Sequence, residues 1–392
     1  MNNFKYFTPT KVIFGRGTEN QAGALVKETG CKKVLIHYGK GSVEKSGLLG
    51  RIKASLEAEQ IAYTELGGVV PNPRLSLVYE GIELSKKEGV DFILAIGGGS
   101  VIDSAKAIGY GMVNSGNVWD FYAHEREASA CMPVGVVLTL AATGSEMSSS
   151  SVITNETGWS KRGYNNNLSR PVFAIMNPEL TMTLPPFQTE CGCTDILMHT
   201  MERYFTSAGN MEITDGIAEA LMRTVISNAR ILLDEPENYN ARAEVMWAGS
   251  LSHNGLTGCG NGGDDFATHG LEHEVSGLFD VAHGAGLAAL WGSWARYVHK
   301  DCLPRFYRFA VNVMGIADKG SLEEIALKGI EAMEIFFRSI GMPTSFHDLE
   351  IEPTEQEMKL MAKKCSTAAG GRKGSAKVLY EADMLAIYEM AR

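Results

Sequence analysis

The sequence has no excess of basic residues and no long apolar run. Its 46 acidic residues outnumber its 36 lysines and arginines, which gives a formal net charge of -10. Proteins that bind nucleic acid or anionic membranes rely on basic patches, so we expect neither partner. No run of about eighteen apolar residues is present, which argues against a transmembrane helix. Residues 1–15 also lack the apolar core of a secretory signal, so a cytoplasmic location is expected.

Cysteine and histidine are both scarce. The seven cysteines are an odd number without framework spacing, which is typical of reduced thiols in a cytosol. The nine histidines are unevenly placed, because three of them, His269, His273 and His283, lie within fifteen positions. A packed core sometimes contains hydrogen-bonded histidines, whereas a metal ion requires several imidazoles that converge on one point.

A chain of 392 residues is long for one core, so two domains are expected. The first half alternates short apolar runs with glycine turns and helical stretches, which predicts a parallel, Rossmann-like α/β sheet. Strands are predicted at Val34–Tyr38, at Phe92–Ile96 and within "PVGVVLTL". From about residue 187 the apolar positions have helical period. We therefore predict an α/β domain over residues 1–186 and an all-α domain over 187–392.

Two glycine turns follow predicted strands. The turn Gly97, Gly98, Gly99 and Ser100 lies between a strand and a helix, the context in which backbone N–H groups bind a phosphate. Tight turns also use glycine for steric reasons alone. The earlier turn, "YGKGSVE", does not match G-x-G-x-x-G, because Glu44 stands at the third glycine position.

Two pairs of polar residues have the spacing of one helical turn. Asp195 and His199 form one pair, and His269 and His273 form the other. Residues at i and i+4 share a helix face, and carboxylate and imidazole groups from separate helices can form a site for Zn²⁺ or Fe²⁺. Two pairs together with His283 favour a metal site over a coincidence of helix-surface pairs.

The segment "HGLEH" permits a second interpretation. It satisfies H-x-x-E-H, the inverted zinc-protease motif, with Glu272 as the general base of a metal hydrolase. That interpretation leaves the 97–100 turn, Asp195 and His283 without a role. If the hydrolase interpretation is wrong, we expect Glu272 to be a helix-face residue.

Together these residues make the chain resemble the iron-containing, or group III, alcohol dehydrogenases, most closely their butanol dehydrogenase-like branch. The matching segments are "FGRGT", "GGGSVIDSAK", "TGSE", "NPELTMTLPP", D-x-x-x-H at 195 and 199, and H-x-x-x-H-x9-H at 269, 273 and 283. The family's T-A-G-T-G-S-E reads "LAATGSE" here, with Ala142 in place of a glycine. The resemblance implies the dehydroquinate synthase-like architecture and a homodimer.

The resemblance also implies the roles of individual residues. Asp195, His199, His269 and His283 would hold the metal ion, and His273 would be a non-ligand near the substrate, where we expect it to carry the alcohol proton. The 97–100 turn would cradle the pyrophosphate of NAD(H) or NADP(H). The remaining residues expected at the coenzyme are Asn72, Asp103, Thr139, Leu140, Thr143, Ser148 and Lys161.

The turn after the first predicted strand suggests which coenzyme is preferred. NAD-selective enzymes place a carboxylate at the adenosine ribose, where it repels a 2′-phosphate. The turn Gly39, Lys40, Gly41 and Ser42 has no acid before Glu44, and Lys40 and Ser42 are suited to bind a phosphate. We therefore expect NADP(H) to be favoured. The substrate is expected to be a small alcohol or aldehyde, whose oxygen a divalent ion would polarise.

Overall fold

A computed structural model describes residues 1–206 and 209–392. The chain divides into two compact units. One unit is Thr8–Leu184, and the other combines Met1–Phe7 with Pro185–Arg392. Residues 1–7 therefore belong with the C-terminal half, although the sequence predicted a single division after residue 186.

The first unit is built around a parallel sheet of six strands in the order β1-β8-β5-β4-β2-β3. The strands of this sheet are β1 Lys11–Phe14, β2 Lys33–Gly39, β3 Ala62–Val69, β4 Phe92–Gly97, β5 Val134–Leu138 and β8 Phe173–Met176. A separate antiparallel hairpin consists of β6 Ser150–Asn155 and β7 Ser160–Asn165. The central strands are continuous apolar runs because helices cover both faces of such a sheet.

The helices of the first unit follow the strands in alternation. They are α1 Ala22–Glu28, α2 Ser42–Lys45, α3 Leu48–Ala58, α4 Leu75–Glu88, α5 Gly99–Val113 and α6 Trp119–Tyr122, with short 3-10 turns at Thr18–Gln21, Asn167–Ser169 and Pro178–Thr181. Ile52 and Leu56 of α3 pack with Ile36 of β2 and Leu94 of β4 in one buried cluster. Burial of these side chains stabilises each strand–helix connection by removing apolar surface from water.

The chain changes direction across the sheet between β2 and β4. It leaves β2 for β3 on one side, and after β4 it continues to β5 on the other side. The two strands are adjacent, with Tyr38 in register with Ile96. Doubly wound sheets bind their ligands at the carboxyl ends of the strands at this switch point. Both predicted glycine turns, 39–42 and 97–100, lie there.

The second unit is helical. Its helices are α7 Pro186–Tyr204, α8 Glu212–Asp234, α9 Tyr239–His253, α10 Ala267–Phe279, α11 His283–Val298, α12 Leu303–Asn312, α13 Leu322–Ser339, α14 Glu355–Ala368 and α15 Glu381–Met390, with a 3-10 turn at Leu256–Gly258. Capping boxes begin α13 at Ser321 and α14 at Thr354, where they satisfy the first free N–H groups of each helix. In the part of the chain that the structure describes, no helix is both long and apolar enough to cross a bilayer.

The predicted fold class, a parallel α/β unit followed by a helical unit, is confirmed. The strands extend one residue further than predicted at Gly39 and Gly97. The hairpin β6–β7 was not predicted. Residues 1–7 are attached to the helical unit by backbone contacts, of which Asn2 N to Gly260 O at 3.0 Å is one.

Candidate active site

Helix α7 carries the first two predicted metal ligands. It begins at Pro186, a residue whose fixed φ suits the first helical turn and whose missing N–H is not needed there. Asp195 and His199 lie one turn apart on α7, and both are buried. Asp195 Oδ1 is 3.4 Å from His199 Nδ1. Because α7 is buried along most of its length, these side chains point into the helical unit and away from solvent.

Helices α10 and α11 bring two more imidazoles to the same carboxylate. His269 Nε2 lies 3.4 Å from Asp195 Oδ1, and His283 Nε2 lies 3.7 Å from it. His283 is the first residue of α11. The next residue, Gly284, allows α11 to start against α7, since a Cβ atom there would lie 2.2 Å from the Cys191 carbonyl oxygen. The structure therefore brings the four predicted ligand side chains together.

Three atoms of this cluster fit a metal ion. Asp195 Oδ1, His199 Nδ1 and His269 Nε2 are buried and have no hydrogen-bond partner among the residues that the structure describes. Asp195, His199 and His269 also offer ligand atoms that all lie within 4.8 Å of one another. Buried polar atoms without partners are costly, and one cation among them would satisfy all three. A carboxylate with imidazoles is a donor set suited to Zn²⁺ or Fe²⁺.

The electrostatics of the cluster also favour a cation. Burial and the neighbouring imidazoles of His253 and His269 hold the pKa of His199 well below its usual value, so that ring is neutral and its lone pair is available. Burial lowers the pKa of His269 too, but the carboxylates of Glu202 and Asp195 outweigh burial and raise it to about 9. Positive charge is therefore stabilised at this point of the unit.

Two glutamates contact the cluster, and sequence reasoning gave neither of them this position. Glu202 is fully buried and accepts hydrogen bonds from His269, from Nδ1 and from the backbone N at 3.1 Å. Glu272 is also fully buried, and it accepts hydrogen bonds from His283 Nδ1 and Ser276 Oγ. The spacing of Glu202 could have indicated its position. It follows Asp195 at i+7 and therefore lies on the same face of α7.

Glu272 does not occupy the position of a hydrolytic base. It is not the helix-face residue that we expected, because none of its surface is exposed. Its carboxylate is already engaged with His283 and Ser276, whereas a general base needs a free oxygen towards water. The hydrolase alternative is not supported.

His273 and His253 are the other imidazoles near the cluster. His273 is half-buried, and its ring centroid lies 5.8 Å from that of His283 and 6.4 Å from that of His269. The ring of His253, which sequence reasoning did not single out, lies edge-on to His199 at 4.0 Å. His273 is therefore a neighbour of the proposed ligands on α10 and α11, and its place near the substrate stays a prediction.

In the first unit, the 97–100 turn begins helix α5. Gly98 precedes the helix in an extended conformation, no side chain caps the helix, and its first turn contains no acidic residue. The N–H groups of this turn therefore suit an anion. The glycines are also required by packing: a Cβ atom at Gly99 would lie 2.3 Å from Thr143 Cγ2, and one at Gly98 would lie 3.0 Å from Leu140 Cβ.

A buried network holds the loop that packs on this turn. Thr139 N donates to Gly97 O at 3.1 Å. Asp103 accepts hydrogen bonds from Ser145 Oγ at 2.6 Å and from Val152 N at 2.9 Å. The fully buried Lys106 donates to the carbonyl oxygens of Ser145, Ser148 and Ser150 and to Ser145 Oγ, at 2.7–3.0 Å. Asp103 and Ser148 are therefore parts of the loop's support, and sequence reasoning missed Lys106.

Lys161 lies in strand β7 of the hairpin β6–β7, and Asn72 lies close to that hairpin. Asn72 is buried and has a left-handed backbone with φ 53°. The next residue, Pro73, accepts a hydrogen bond from Thr154 N at 2.8 Å, and Thr154 is in register with the buried Lys161. The hairpin therefore links the segments that carry these two residues.

Glu44 lies close to the 39–42 turn. It is in the first turn of helix α2, Ser42–Lys45, the helix in which the sequence placed it. Its Oε1 is 3.4 Å from the Tyr38 hydroxyl, and its Oε2 would lie 3.6 Å from a Cβ atom at Gly41. A carboxylate therefore lies at this turn, next to the exposed Lys40.

Two family models match the chain. The model described as iron-containing alcohol dehydrogenase matches residues 9–178. The model described as Fe-containing alcohol dehydrogenase family, C-terminal, matches residues 189–392. Together they cover both structural units.

Individual proteins are similar over nearly the full length. NADH-dependent butanol dehydrogenase A of Clostridium acetobutylicum is 39% identical over 99% of both chains. NADPH-dependent aldehyde reductase YqhD of Escherichia coli is 35% identical over 90% of both. The crystal structure of NADH-dependent butanol dehydrogenase A from Thermotoga maritima superposes with a TM-score of 0.96 at 37% identity, covering 100% of this chain and 99% of that one.

Proposed function

The chain belongs to the iron-containing alcohol dehydrogenase family, and we propose that it interconverts a small primary alcohol of butanol-like size and the corresponding aldehyde. It is an oxidoreductase that transfers hydride between an alcohol or aldehyde and a nicotinamide coenzyme. The observation that supports the proposed site is the convergence of Asp195 with the imidazoles of His199, His269 and His283. Three of the converging atoms, Asp195 Oδ1, His199 Nδ1 and His269 Nε2, are buried without a hydrogen-bond partner among the described residues.

We propose that Asp195, His199, His269 and His283 hold one divalent ion, Fe²⁺ or Zn²⁺. Such an ion polarises the oxygen of the alcohol or aldehyde and lowers the pKa of the alcohol. The chain fixes the ligands on three helices, α7, α10 and α11. Because the hydride acceptor is the nicotinamide, the metal needs no redox activity of its own.

We propose that the coenzyme pyrophosphate lies on the 97–100 turn. The uncapped N-terminus of α5 offers its N–H groups there. Thr139, Leu140 and Thr143 belong to the loop that packs on the turn. The proposed coenzyme set also includes Asn72 and Lys161. Asp103 and Ser148 belong to it because they support that loop.

The preference between NAD(H) and NADP(H) is proposed to depend on the 39–42 turn. Lys40 would attract the 2′-phosphate of NADP(H), and Glu44 would repel it. Relatives of both kinds are similar to this chain, since four are named as NADH-dependent butanol dehydrogenases and one as an NADPH-dependent aldehyde reductase. The preference for NADP(H) stays a prediction, and we propose that Glu44 weakens it.

We propose that His273 carries the alcohol proton away from the reacting oxygen. It neighbours the proposed ligands but is assigned no ligand role, and a half-buried imidazole can exchange protons with water. The division into a coenzyme-binding part, residues 1–186, and a metal-binding part, 187–392, is likewise proposed. A cytoplasmic homodimer is the proposed state of the protein, which light scattering can check.

The proposed site is tested by comparing two histidine variants. The protein as purified is analysed for metal and assayed with butanal and NADPH or NADH. His283→Ala is expected to lower bound metal and abolish turnover, whereas His273→Ala is expected to keep the metal and lose most of its turnover. Circular dichroism shows whether both remain folded. Full metal occupancy in the His283→Ala protein would contradict the ligand assignment, and full activity in His273→Ala would contradict the proton role.

A further inference from the structure

Two buried glutamates hydrogen-bond to two of the proposed metal ligands through the same ring atom. Glu202 pairs with Nδ1 of His269, and Glu272 pairs with Nδ1 of His283. The glutamates come from different helices, α7 and α10, and neither has any exposed surface. The arrangement therefore occurs twice in one site.

Each hydrogen bond determines which ring nitrogen carries the proton. A carboxylate only accepts, so Nδ1 must donate, and once the ring loses its other proton in competition with a metal ion, the lone pair is on Nε2. Nε2 is the atom of both rings that faces Asp195 Oδ1, at 3.4 Å for His269 and 3.7 Å for His283. Both rings are thereby fixed in the tautomer and the orientation that a metal ion at this point requires.

The burial of these glutamates requires positive charge nearby, either on the imidazoles that they contact or on an ion that those imidazoles hold. An ionised carboxylate removed from water is strongly disfavoured unless it is paired. Asp195, Glu202 and Glu272 place three carboxylates around one point, and all three are buried. A divalent ion bound by the histidines offsets this negative charge through the rings.

The packing around Glu202 and Glu272 holds them rigidly. Glu202 Oε1 also accepts from the backbone N of His269 at 3.1 Å, so the start of α10 is tied to α7. Glu272 also accepts from Ser276, one turn further along α10. Neither carboxylate can rotate without breaking a second hydrogen bond.

We propose that Glu202 and Glu272 are positioning residues that fix His269 and His283 for metal binding and make both rings better donors. The proposal rests on the proposed function, because it assumes that these histidines hold the ion. In this role neither glutamate binds the ion itself, although Glu272, His273 and His283 also offer ligand atoms within 4.8 Å of one another. Their effect is on the affinity for the metal and on the geometry of the ligand set.

The test measures metal binding directly. Metal-free wild-type protein, Glu202→Gln and Glu272→Gln are titrated with Co²⁺, and the cobalt absorption spectrum is recorded. Glutamine keeps the shape but removes the charge, so each variant is expected to bind Co²⁺ about 10- to 100-fold more weakly, with altered visible bands. Glu219→Gln is the matched control, because Glu219 is a buried glutamate of the same unit that pairs with Tyr204 and Arg308.

The outcomes separate this inference from the proposed function. If wild-type protein binds no Co²⁺, the metal site itself is wrong. If wild-type protein binds Co²⁺ and both glutamine variants match its affinity and spectrum, the positioning role is overturned. Should a glutamine variant fail to fold, Glu202→Asp and Glu272→Asp replace it. Their shorter side chains keep the charge but withdraw it from Nδ1, so weaker binding supports the proposal and wild-type binding overturns it.

Discussion

Gly286 of α11 lies directly against Glu272 of α10. A Cβ atom at position 286 would come within 3.0 Å of both Cγ and Oε1 of that glutamate. Real Cβ contacts are seldom so short, so any larger residue forces the glutamate side chain to move. The absence of a side chain at 286 therefore leaves the space in which the Glu272 carboxylate reaches His283.

Gly286→Ala is expected to disturb the proposed metal site. The added methyl overpacks a buried contact, which costs about 1–3 kcal/mol, and displaces the hydrogen-bond partner of His283. Bound metal and turnover should both fall, as measured by elemental analysis and the butanal assay. Gly216→Ala is the control, since Gly216 is in the exposed face of α8 with no atom near its Cβ position. That variant should gain about 0.5–1 kcal/mol from helix propensity.

The burial of His37 leads us to expect that the α/β unit loses stability at acidic pH. His37 is fully buried, with Nδ1 2.8 Å from Leu66 O and Nε2 2.8 Å from Ser104 Oγ, and burial lowers its pKa to about 4. In the unfolded chain the histidine pKa is about 6.5. Between pH 6.5 and pH 4, His37 is therefore protonated in the unfolded chain but neutral in the folded one. The contribution of His37 to the free energy of unfolding is therefore fully present above pH 6.5. About 3 kcal/mol is lost as the pH falls towards 4.

The measurement compares how the unfolding temperature depends on pH. In His37→Gln the decrease in Tm between pH 6.5 and pH 4.5 should be smaller than in the wild-type protein, whatever the absolute stability of the variant. His347→Gln, which replaces an exposed histidine, should keep the wild-type slope. An unchanged slope in His37→Gln would mean that other groups dominate the acid response.

We expect the replacement of Lys106 to lower both the stability of the protein and its affinity for the coenzyme. The three N–H groups of the Lys106 ammonium lie within hydrogen-bond distance of four oxygens of the 145–150 segment, and Lys106→Met removes all three donors. Each such loss costs about 1–3 kcal/mol, so a total of about 3 kcal/mol or more is expected. Because the loop packs on Gly99 through Thr143, KM for the coenzyme should also rise. Lys363→Met, at an exposed position of α14, should change neither quantity.

The charges at the end of β2 predict opposite shifts in coenzyme preference. Glu44→Gln removes a repulsion and should raise kcat/KM for NADPH relative to NADH. Lys40→Gln removes an attraction and should lower that ratio. Each shift should be several-fold and at most about tenfold, or 1.4 kcal/mol, because both side chains are exposed. If both variants shift the ratio in the same direction, this turn does not contact the ribose.

Helical spacing and the cluster of histidines predicted which residues gather at the proposed metal site, and the family resemblance selected four of them as ligands. Asp195 with His199, and His269 with His273, could be placed on helix faces because i,i+4 spacing determines direction. The roles of Glu202 and Glu272 were not predictable in the same way. Both depend on which helices pack together, and that is a tertiary property. Glu272 was expected to be a helix-face residue, because nothing in its local sequence shows that α11 covers it.

The sheet was predictable where its strands are apolar and end in glycine, as at Phe92–Gly97. The hairpin β6–β7 was missed because its strands mix polar and apolar residues and are only partly buried. The sequence placed Glu44 in the helix after the turn, as the structure has it. The orientation of its side chain towards Tyr38 and Gly41 is a three-dimensional feature that the sequence pattern does not show.

The grouping of Met1–Phe7 with Pro185–Arg392 affects the order of events at the ribosome. The unit Thr8–Leu184 has all of its strands within one continuous segment, so it can fold once Leu184 has emerged. Residues 1–7 must wait for their partners, since Asn2 bonds to Gly260 and Asn261. At the usual pace of synthesis that wait is on the order of ten seconds or more.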